Sequence, residues 1–354
     1  MRSCQPRTVR VVDDAGGGRR GCRAVVSREL WEVLAGRWAV PRQKGRDLGG
    51  SLNLNLLVSR GDDQLVVRVH RQSVSAARLQ VIQGVRARVD SAGVPCSALV
   101  PARDGARWAT AGGRLVEVER FIPHDGPMKT PRRLARGLPI LGRIHAVLAD
   151  LAVSPAGRTV EFANHLDPGR VLAGTRAGTA RIRSWQPTAS ERQLASQAEQ
   201  LAELVAEGEA GLAARPRQLV HGDFWDDNVF FRGQTPVFVA DFSFMAERAR
   251  IDDLALTLYY ADTEFGLTRA SDRIAALQPL VRAYASGLDD PLTAAERYAL
   301  PWAIARQPLW SIGVWVALLD NQDTARAHAR ATFPAIQRAL QVVTDIDSWQ
   351  TGLS

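Results

Sequence analysis

The chain is poor in cysteine, and it has no long apolar run. Its three cysteines, Cys4, Cys22 and Cys96, lack the spacing of zinc ligands, and their odd number does not suit a disulfide framework. The longest apolar run, 312–319, is far too short to span a bilayer. The arginines near the N-terminus are not followed by the apolar segment of a signal peptide. These absences predict a cytoplasmic protein without a membrane partner.

Lysine is nearly absent as well, and Lys44 and Lys129 are the only two. The net charge of +8 therefore comes from arginine, which accompanies abundant Ala, Gly, Val and Leu, as in proteins of GC-rich bacterial genomes. The arginines are scattered, except for a group in the first 23 residues. Nucleic-acid binding needs a clustered basic face with interleaved aromatic residues, so we expect no nucleic-acid partner.

The pattern of the first 120 residues predicts a small β-rich lobe, residues 25–120, after a disordered tail, residues 1–24. The tail is polar and glycine-rich. Alternating polar and apolar residues predict two strands around a turn at Gly61, which form an antiparallel hairpin. The predicted elements are a helix at 27–40, the hairpin strands 51–58 and 64–70, a helix at 75–92, and strands at 108–110 and 114–121.

From Pro123 onward the pattern becomes helical, and residues 121–354 form the predicted second lobe. Thr130 and Pro131 mark a helix start, followed by apolar residues three and four apart up to Leu151. An apolar strand ends at Asp241. The stretch 154–187 is interpreted as an irregular insertion or long loop. Further helices are predicted to begin at Ser190, Asp252, Ser271 and Thr293, the last with a capping box to Glu296.

One short segment carries a set of residues suited to phosphoryl transfer. It reads His221-Gly222-Asp223-Phe224-Trp225-Asp226-Asp227-Asn228, and Asp241 follows at the end of the next apolar run. One carboxylate can orient a hydroxyl and accept its proton, while an amide oxygen and a second carboxylate can bind magnesium. Taken singly, Asp223 and Asn228 are also ordinary turn residues.

This segment resembles the catalytic loop and metal strand of the aminoglycoside phosphotransferase and choline kinase superfamily. The resemblance implies an α+β, two-lobed protein-kinase-like fold and a kinase that uses ATP or GTP with Mg²⁺. It implies that Asp223 is the catalytic base and that Asn228 and Asp241 bind the metal. It also implies that His221 and Asp253 support the loop structurally; a helix N-cap is the alternative for Asp253.

The same resemblance implies a nucleotide site in the first lobe. Arg68 stands where kinases have a lysine on the α and β phosphates, and Gly49, Gly50 and Ser51 form the loop over the phosphates. Glu119 to Ile122, which include Phe121, resemble the hinge whose backbone would bind the base. The usual glutamate partner is missing from the helix at 75–92, where Gln80 or Gln83 is the available substitute.

The residues that bind the acceptor are predicted only by position, after the catalytic Asp and on the C-terminal helices. Aromatic and acidic groups there suit a polar, amine-bearing hydroxyl compound, although the tryptophans can equally be core residues. The predicted residues are Trp225, Asp226, Asp227, Tyr259, Tyr260, Asp262, Glu264, Arg306, Trp310 and Trp315.

The leading hypothesis is a kinase that phosphorylates an antibiotic, acting as a monomer or homodimer. The antibiotic would be an aminoglycoside, a nucleoside type or another natural compound. The nearest alternative is a metabolic kinase of choline, homoserine or a sugar, because fold does not fix the substrate. The third hypothesis is a nucleotide-binding module without turnover, and only the missing helix glutamate favours it.

Overall fold

A computed structural model describes residues 23–50, 52–160, 164–212 and 215–354. The chain divides into two compact units, the first of which ends at Gln80 and also includes Ser97–Pro123. The second unit comprises Val81–Cys96 and His124–Ser354. Nearly all of the predicted tail lies outside the described residues, and the lobe limits drawn from the sequence stay a prediction. Within the described ranges, no helix is long and apolar enough to cross a bilayer.

The first unit is built on one antiparallel sheet of five strands in the order β1-β2-β3-β5-β4. The predicted hairpin is confirmed: it turns at Gly61, whose φ of 58° favours glycine. Alternate residues of the hairpin strands point into the core. The elements are α1 (Arg28–Trp38), β1 (Arg46–Asp47), β2 (Leu54–Arg60), β3 (Asp63–Val69), β4 (Ala109–Ala111) and β5 (Arg114–Arg120). The helix α2 (Ala76–Ser91) begins in this unit, and its residues from Val81 onward belong to the second unit.

The second unit is mostly helical and contains two small antiparallel sheets, β6-β8-β9 and β7-β10. A π-helical turn spans Ser311–Val316. The elements are β6 (Gly126–Pro127), α3 (Pro131–Leu148), α4 (Pro155–Arg158), α5 (Val171–Ser184), α6 (Ala189–Ala210), β7 (Arg217–Val220), β8 (Val229–Arg232), β9 (Thr235–Val239), β10 (Ala246–Ala249), α7 (Arg250–Phe265), α8 (Ala270–Ala285), α9 (Ala294–Arg306), α10 (Gln322–Thr344) and α11 (Ile346–Leu353).

Helix starts in the second unit follow the capping chemistry of the sequence. Thr130 accepts the backbone N–H of Arg133, and Thr293 forms the predicted capping box with Glu296. The helix predicted from Ser190 begins slightly earlier, because Thr188 makes a capping box with Glu191. The α+β architecture inferred from the sequence is confirmed.

The interpretation of 154–187 as a long loop is wrong, because most of its described residues are helical. This stretch contains α4 and the four turns of α5, which packs against the π-helical turn. The irregular, Pro- and Arg-rich composition disguised the helix, in which glycines allow close backbone approach. Gly178 illustrates this: a Cβ added there would lie 2.1 Å from the carbonyl oxygen of Ile312.

We expect Gly178→Ala to destabilise the protein, and Gly84→Ala to leave it as stable or more stable. Both glycines are helical, but a Cβ at Gly84 meets nothing within 4 Å. Overpacking at Gly178 should cost about 1–3 kcal/mol, whereas Ala at Gly84 should add roughly 0.5–1 kcal/mol. Thermal unfolding followed by circular dichroism would measure both. Equal melting temperatures for the Gly178→Ala variant and the parent chain would contradict the packing of α5.

Candidate active site

The loop that follows β7 is fixed first by a buried histidine, His221. Its Nε2–H donates to the carbonyl oxygen of Ala240 at 2.9 Å, and its Nδ1 accepts the backbone N–H of Asp223 at 3.2 Å. An imidazole that donates from one nitrogen and accepts at the other is neutral. Burial lowers the pKa of His221, in agreement with this hydrogen-bonding pattern. These bonds tie the loop to the residue before Asp241.

A buried carboxylate, Asp253 near the start of α7, holds the next residue of the loop. Its oxygens accept the backbone N–H of Gly222 at 3.1 and 3.2 Å, and one of them lies 3.1 Å from Nε2 of His145. Nδ1 of His145 lies 2.7 Å from the Tyr284 hydroxyl. Burial alone would raise the pKa of Asp253, but His145 and the Gly222 N–H outweigh it and lower that pKa.

Gly222 cannot be replaced without moving this loop. Its φ is 80°, and a Cβ would lie 2.2 Å from the carbonyl oxygen of Phe244. The hydroxyl of Thr257 in α7 donates to the carbonyl oxygen of Phe224 at 2.6 Å. The backbone on both sides of Asp223 is therefore held by buried hydrogen bonds.

Two amide side chains hold the Asp223 carboxylate, one on each oxygen. Asn228 donates from Nδ2 to Oδ2 at 2.7 Å, and Asn164 donates from Nδ2 to Oδ1 at 2.5 Å. Only the NH₂ end of an amide can donate to a carboxylate, which fixes both amide orientations. The Nδ2 of Asn228 also donates to the Asp223 carbonyl oxygen at 2.9 Å, so its Oδ1 faces away from Asp223.

Asp241 lies two residues after the end of β9, in the left-handed region with φ 56° and ψ 72°, and its Oδ1 accepts the Ser243 N–H at 3.1 Å. The backbone N–H of Ala240 donates to the Asn228 carbonyl oxygen at 2.8 Å, which brings Asp241 close to the loop. Burial, followed by the Asp241 charge, raises the pKa of Asp223 well above its ordinary value. A cation bound between these groups would reverse that effect.

The donor atoms at this place fit magnesium better than zinc. Among the described residues, no group of three or more His, Cys, Asp or Glu side chains has the arrangement of a metal site. Asn228 and Asp241 offer one amide oxygen and one carboxylate. Mg²⁺ is usually bound by one or two protein oxygens, with water and phosphate completing the shell.

In the first unit, Arg68 is buried on β3 between acidic residues of the neighbouring strand. Its Nε lies 3.6 Å from Glu119 and 3.9 Å from Glu117, both on β5. Gln80, one of the two substitutes expected on α2, is exposed. The acidic partners of this arginine therefore come from the sheet, through the pairing of β3 with β5.

The glycine loop between β1 and β2 is held by side chains at its base. Asp47 accepts the Gly49 N–H at 2.8 Å, and Asn55 donates to the Gly49 carbonyl oxygen at 3.0 Å. Gly49 and Gly50 have φ of 91° and 110°, and a Cβ on Gly50 would lie 2.7 Å from a backbone oxygen. Ser51, predicted to belong to this loop, lies outside the described residues.

The predicted hinge residues belong to the end of β5. Glu119 pairs with Val66 in the sheet, and the Phe121 N–H donates to the Gln64 carbonyl oxygen at 3.0 Å. These backbone groups are therefore already used within the first unit. A bound base would have to use other backbone groups of this segment.

Several predicted acceptor residues do gather beside Asp223. The ring of Trp225 lies 4.7 Å from that of Tyr260, and Lys129 lies 2.7 Å from Asp227 and 3.8 Å from Asp226. Burial and the Asp227 charge raise the pKa of Asp226 to about 7, against the opposing effect of Lys129. Burial, together with the nearby acidic groups, also raises the pKa of Tyr260.

Other predicted acceptor residues are engaged in the folded core. Asp262 accepts paired hydrogen bonds from Arg273 at 2.8 and 2.9 Å, and Arg338 binds it from another helix. Arg306 is buried between Glu209 and Asp252. Trp310 is half-buried, with its ring 5.9 Å from Trp315. We therefore leave Asp262 and Arg306 out of the acceptor site, whereas Trp310 stays a prediction.

Sequence reasoning missed three residues of this site: Asn164, Lys129 and His145. Asn164 lies in the stretch interpreted as a loop, and 59 residues separate it from Asp223. Lys129 is one of only two lysines, and this rarity is a sequence signal that could have indicated its pairing with Asp226 and Asp227. His145 lies on the same face of α3 as the buried apolar residues Leu141 and Leu148, so its position in the sequence does not distinguish it from a core residue.

Comparisons with known proteins agree with this geometry. The sequence model of the phosphotransferase enzyme family, APH, matches residues 46–296. A homoserine kinase of Gluconacetobacter diazotrophicus is 28% identical over 256 residues, covering 71% of this chain and 74% of the relative.

Two solved kinases have a similar fold. A microcompartment-associated aminopropanol kinase superposes with a TM-score of 0.69 at 18% identity, covering 89% of this chain and 97% of the other. Amicoumacin kinase hAmiN, in complex with AMP-PNP, Ca²⁺ and Ami, gives a TM-score of 0.66 at 12% identity, covering 87% and 92%.

The protein-kinase-like fold expected from the resemblance is thereby confirmed, and the enzyme is a phosphotransferase with an alcohol group as acceptor. Since the family model covers well over half of its length, the chain belongs to the phosphotransferase enzyme family.

Proposed function

We propose that this phosphotransferase moves the γ-phosphate of ATP or GTP onto the hydroxyl of a small metabolic amino alcohol, of the homoserine or aminopropanol kind. The observation that carries the proposal is the Asp223 carboxylate, which is held on both oxygens by amides and lies beside Asn228 and Asp241. That arrangement supports an in-line transfer in which the protein positions groups and stabilises charge.

In this mechanism Asp223 orients the acceptor hydroxyl and accepts its proton as the bond to phosphorus forms. The amides of Asn164 and Asn228 hold one oxygen each, so the carboxylate is presented to that proton in one orientation. His221 is neutral and bonded at both nitrogens, so it holds the loop and takes no part in proton transfer.

Asn228 and Asp241 would hold Mg²⁺ through one amide oxygen and one carboxylate. When bound, the ion would neutralise the charge on the phosphates of the nucleotide. Arg68 and the backbone of Gly49 and Gly50 would bind the phosphates in the first unit, with Glu117 and Glu119 fixing the guanidinium. The nucleotide analogue in the hAmiN complex supports the use of a nucleotide.

The choice of acceptor departs from the antibiotic favoured by the sequence alone. A relative that aligns with 74% of its own length is a homoserine kinase, whereas the likeness to hAmiN, at 12% identity, concerns the fold. The acidic and aromatic groups around Tyr260 support an acceptor that carries an amine. An antibiotic remains the competing acceptor class.

An acceptor panel tests this choice directly. We expect homoserine and 1-amino-2-propanol to be phosphorylated with higher kcat/KM than an aminoglycoside, a nucleoside antibiotic, amicoumacin, choline or a sugar. Nucleotide consumption would give the rates, and mass spectrometry would detect the added phosphate. Preferred turnover of any antibiotic over both amino alcohols would overturn the metabolic assignment.

Replacing the base should abolish most turnover without affecting nucleotide binding. In Asp223→Asn the amide cannot accept the proton, so kcat should fall by about 10²–10⁴-fold. Nucleotide affinity, measured by calorimetry, should stay close to that of the parent chain. Asp150→Asn, an exposed carboxylate after α3, is the matched control. Loss of nucleotide binding in Asp223→Asn, or unchanged kcat, would contradict the assigned role.

Removing the carboxylate at position 241 should raise the magnesium requirement. Asp241→Asn is the suitable variant, because Asn tolerates the left-handed backbone at φ 56° better than Ala does. The Mg²⁺ concentration for half-maximal rate should rise by at least about 10-fold, because one anionic ligand is lost. A magnesium titration identical to that of the parent chain would remove Asp241 from the metal site.

A further inference from the structure

An acidic pair, Asp226 and Asp227, follows the proposed base in the loop, and one lysine accompanies it. Nζ of Lys129, two residues before α3, lies 2.7 Å from Asp227 and 3.8 Å from Asp226. The side chains of Lys129 and Asp227 are each 39% exposed, and that of Asp226 is 9% exposed. A small molecule can therefore contact Lys129 and Asp227 without any change in the structure.

The same pair borders the place where the acceptor hydroxyl would lie. The ring of Trp225 lies 4.7 Å from that of Tyr260. The carboxylates of Asp223, Asp226 and Asp227 all lie close enough to the phenol of this tyrosine to act on it electrostatically. An acceptor whose hydroxyl is bound to Asp223 would therefore have its other groups within a few bonds of these rings and carboxylates.

Negative charge prevails around the acidic pair. Glu264, exposed near the end of α7, acts on both Lys129 and Asp226, so three carboxylates are opposed by one ammonium. Asp226 is the least compensated of them. Within the described residues its one ion pair is the 3.8 Å contact with Lys129, and no other residue donates a hydrogen bond to its carboxylate. These charges favour a second cation and disfavour another anion.

Two arginines lie deeper in the same unit and do not alter this balance. Arg248 is 6% exposed, and buried carboxylates of α7 act on it more strongly than Asp223 does. Arg306 is 1% exposed and forms close ion pairs with two carboxylates. Neither guanidinium is open to an acceptor. A carboxylate on the acceptor would therefore have to compete with Asp227 for Lys129.

We propose that the acceptor is an amino alcohol without a carboxylate, and that the excess of negative charge at Asp226 and Asp227 over Lys129 selects it against homoserine. Resting on the proposed function, this assignment narrows the acceptor to the aminopropanol kind. The ammonium group lies against the acidic pair and the faces of Trp225 and Tyr260. A carboxylate next to that ammonium meets charges of its own sign.

Matched acceptors and charge variants test this specificity. Homoserine and 3-amino-1-propanol differ only in that a hydrogen replaces the carboxylate, and homoserine amide keeps the size of homoserine without its negative charge. Asp226→Asn and Asp227→Asn each remove one negative charge, and Lys129→Gln removes the positive one. Asp150→Asn and Arg143→Gln make the same charge changes at other exposed positions.

In the parent chain, kcat/KM for 3-amino-1-propanol should exceed that for homoserine by about 10-fold or more, and homoserine amide should also be preferred to homoserine. The ratio of 3-amino-1-propanol to homoserine should fall by roughly 3–10-fold in each Asp→Asn variant of the pair and rise in Lys129→Gln, mainly through KM. Asp150→Asn and Arg143→Gln should keep the parent ratio. Because each ratio compares two acceptors on one protein, a disturbed nucleotide or metal site cancels.

A parent chain that prefers homoserine to 3-amino-1-propanol, or that treats homoserine and its amide alike, would overturn the proposed specificity. Equal losses for both acceptors in Asp226→Asn and Asp227→Asn would overturn it too, because they would indicate a structural role. Failure of the proposed function gives a different result: the parent chain would phosphorylate none of the three acceptors, and the specificity would be refuted with it.

Discussion

The hydrogen bonds from the buried Asp253 carboxylate to the backbone N–H of Gly222 hold the geometry on which the site depends. A buried carboxylate is costly unless it is satisfied, and here His145 and the Gly222 N–H satisfy it. Because His145 is in turn bonded to Tyr284 of α8, three helices fix one residue of the loop. The proposed base, Asp223, is therefore placed by packing in the core, and little of its position depends on the loop itself.

Because the core fixes the position of Asp223, the loop can keep this buried carboxylate close to the Asp241 charge. Burial and the Asp241 charge disfavour the ionised form of Asp223, and they raise its pKa. Asp223 keeps its position because neutral hydrogen-bonding groups, His221 and the Thr257 hydroxyl, hold the backbone beside it. The folded core thus supports two carboxylates that repel one another, and the proposed cation would relieve that repulsion.

The sequence predicted most of the fold and the reactive loop, because both are encoded by local patterns. Alternating polar and apolar residues predicted the hairpin, and capping residues predicted the helix starts. The spacing from His221 to Asp241 predicted the loop. Failures came where the signal was not local. The Pro- and Arg-rich stretch between 154 and 187 resembled a loop, yet most of its described residues are helical and Gly178 contacts the π-helical turn. Strand pairing also places Glu119 and Glu117 beside Arg68, which no local pattern in the sequence indicated.

The acceptor side shows the limit of such patterns most clearly. Asp262 and Arg306 have the residue types and positions of substrate ligands, yet their partners are Arg273 and Glu209 within the core. Asn164 had no motif at all, yet it contacts the reacting carboxylate across 59 residues of sequence. Residue type indicates what a side chain can bind, whereas burial and unsatisfied atoms indicate what it still needs to bind. Burial and existing partners therefore exclude candidate substrate ligands such as Asp262 more reliably than residue type selects them.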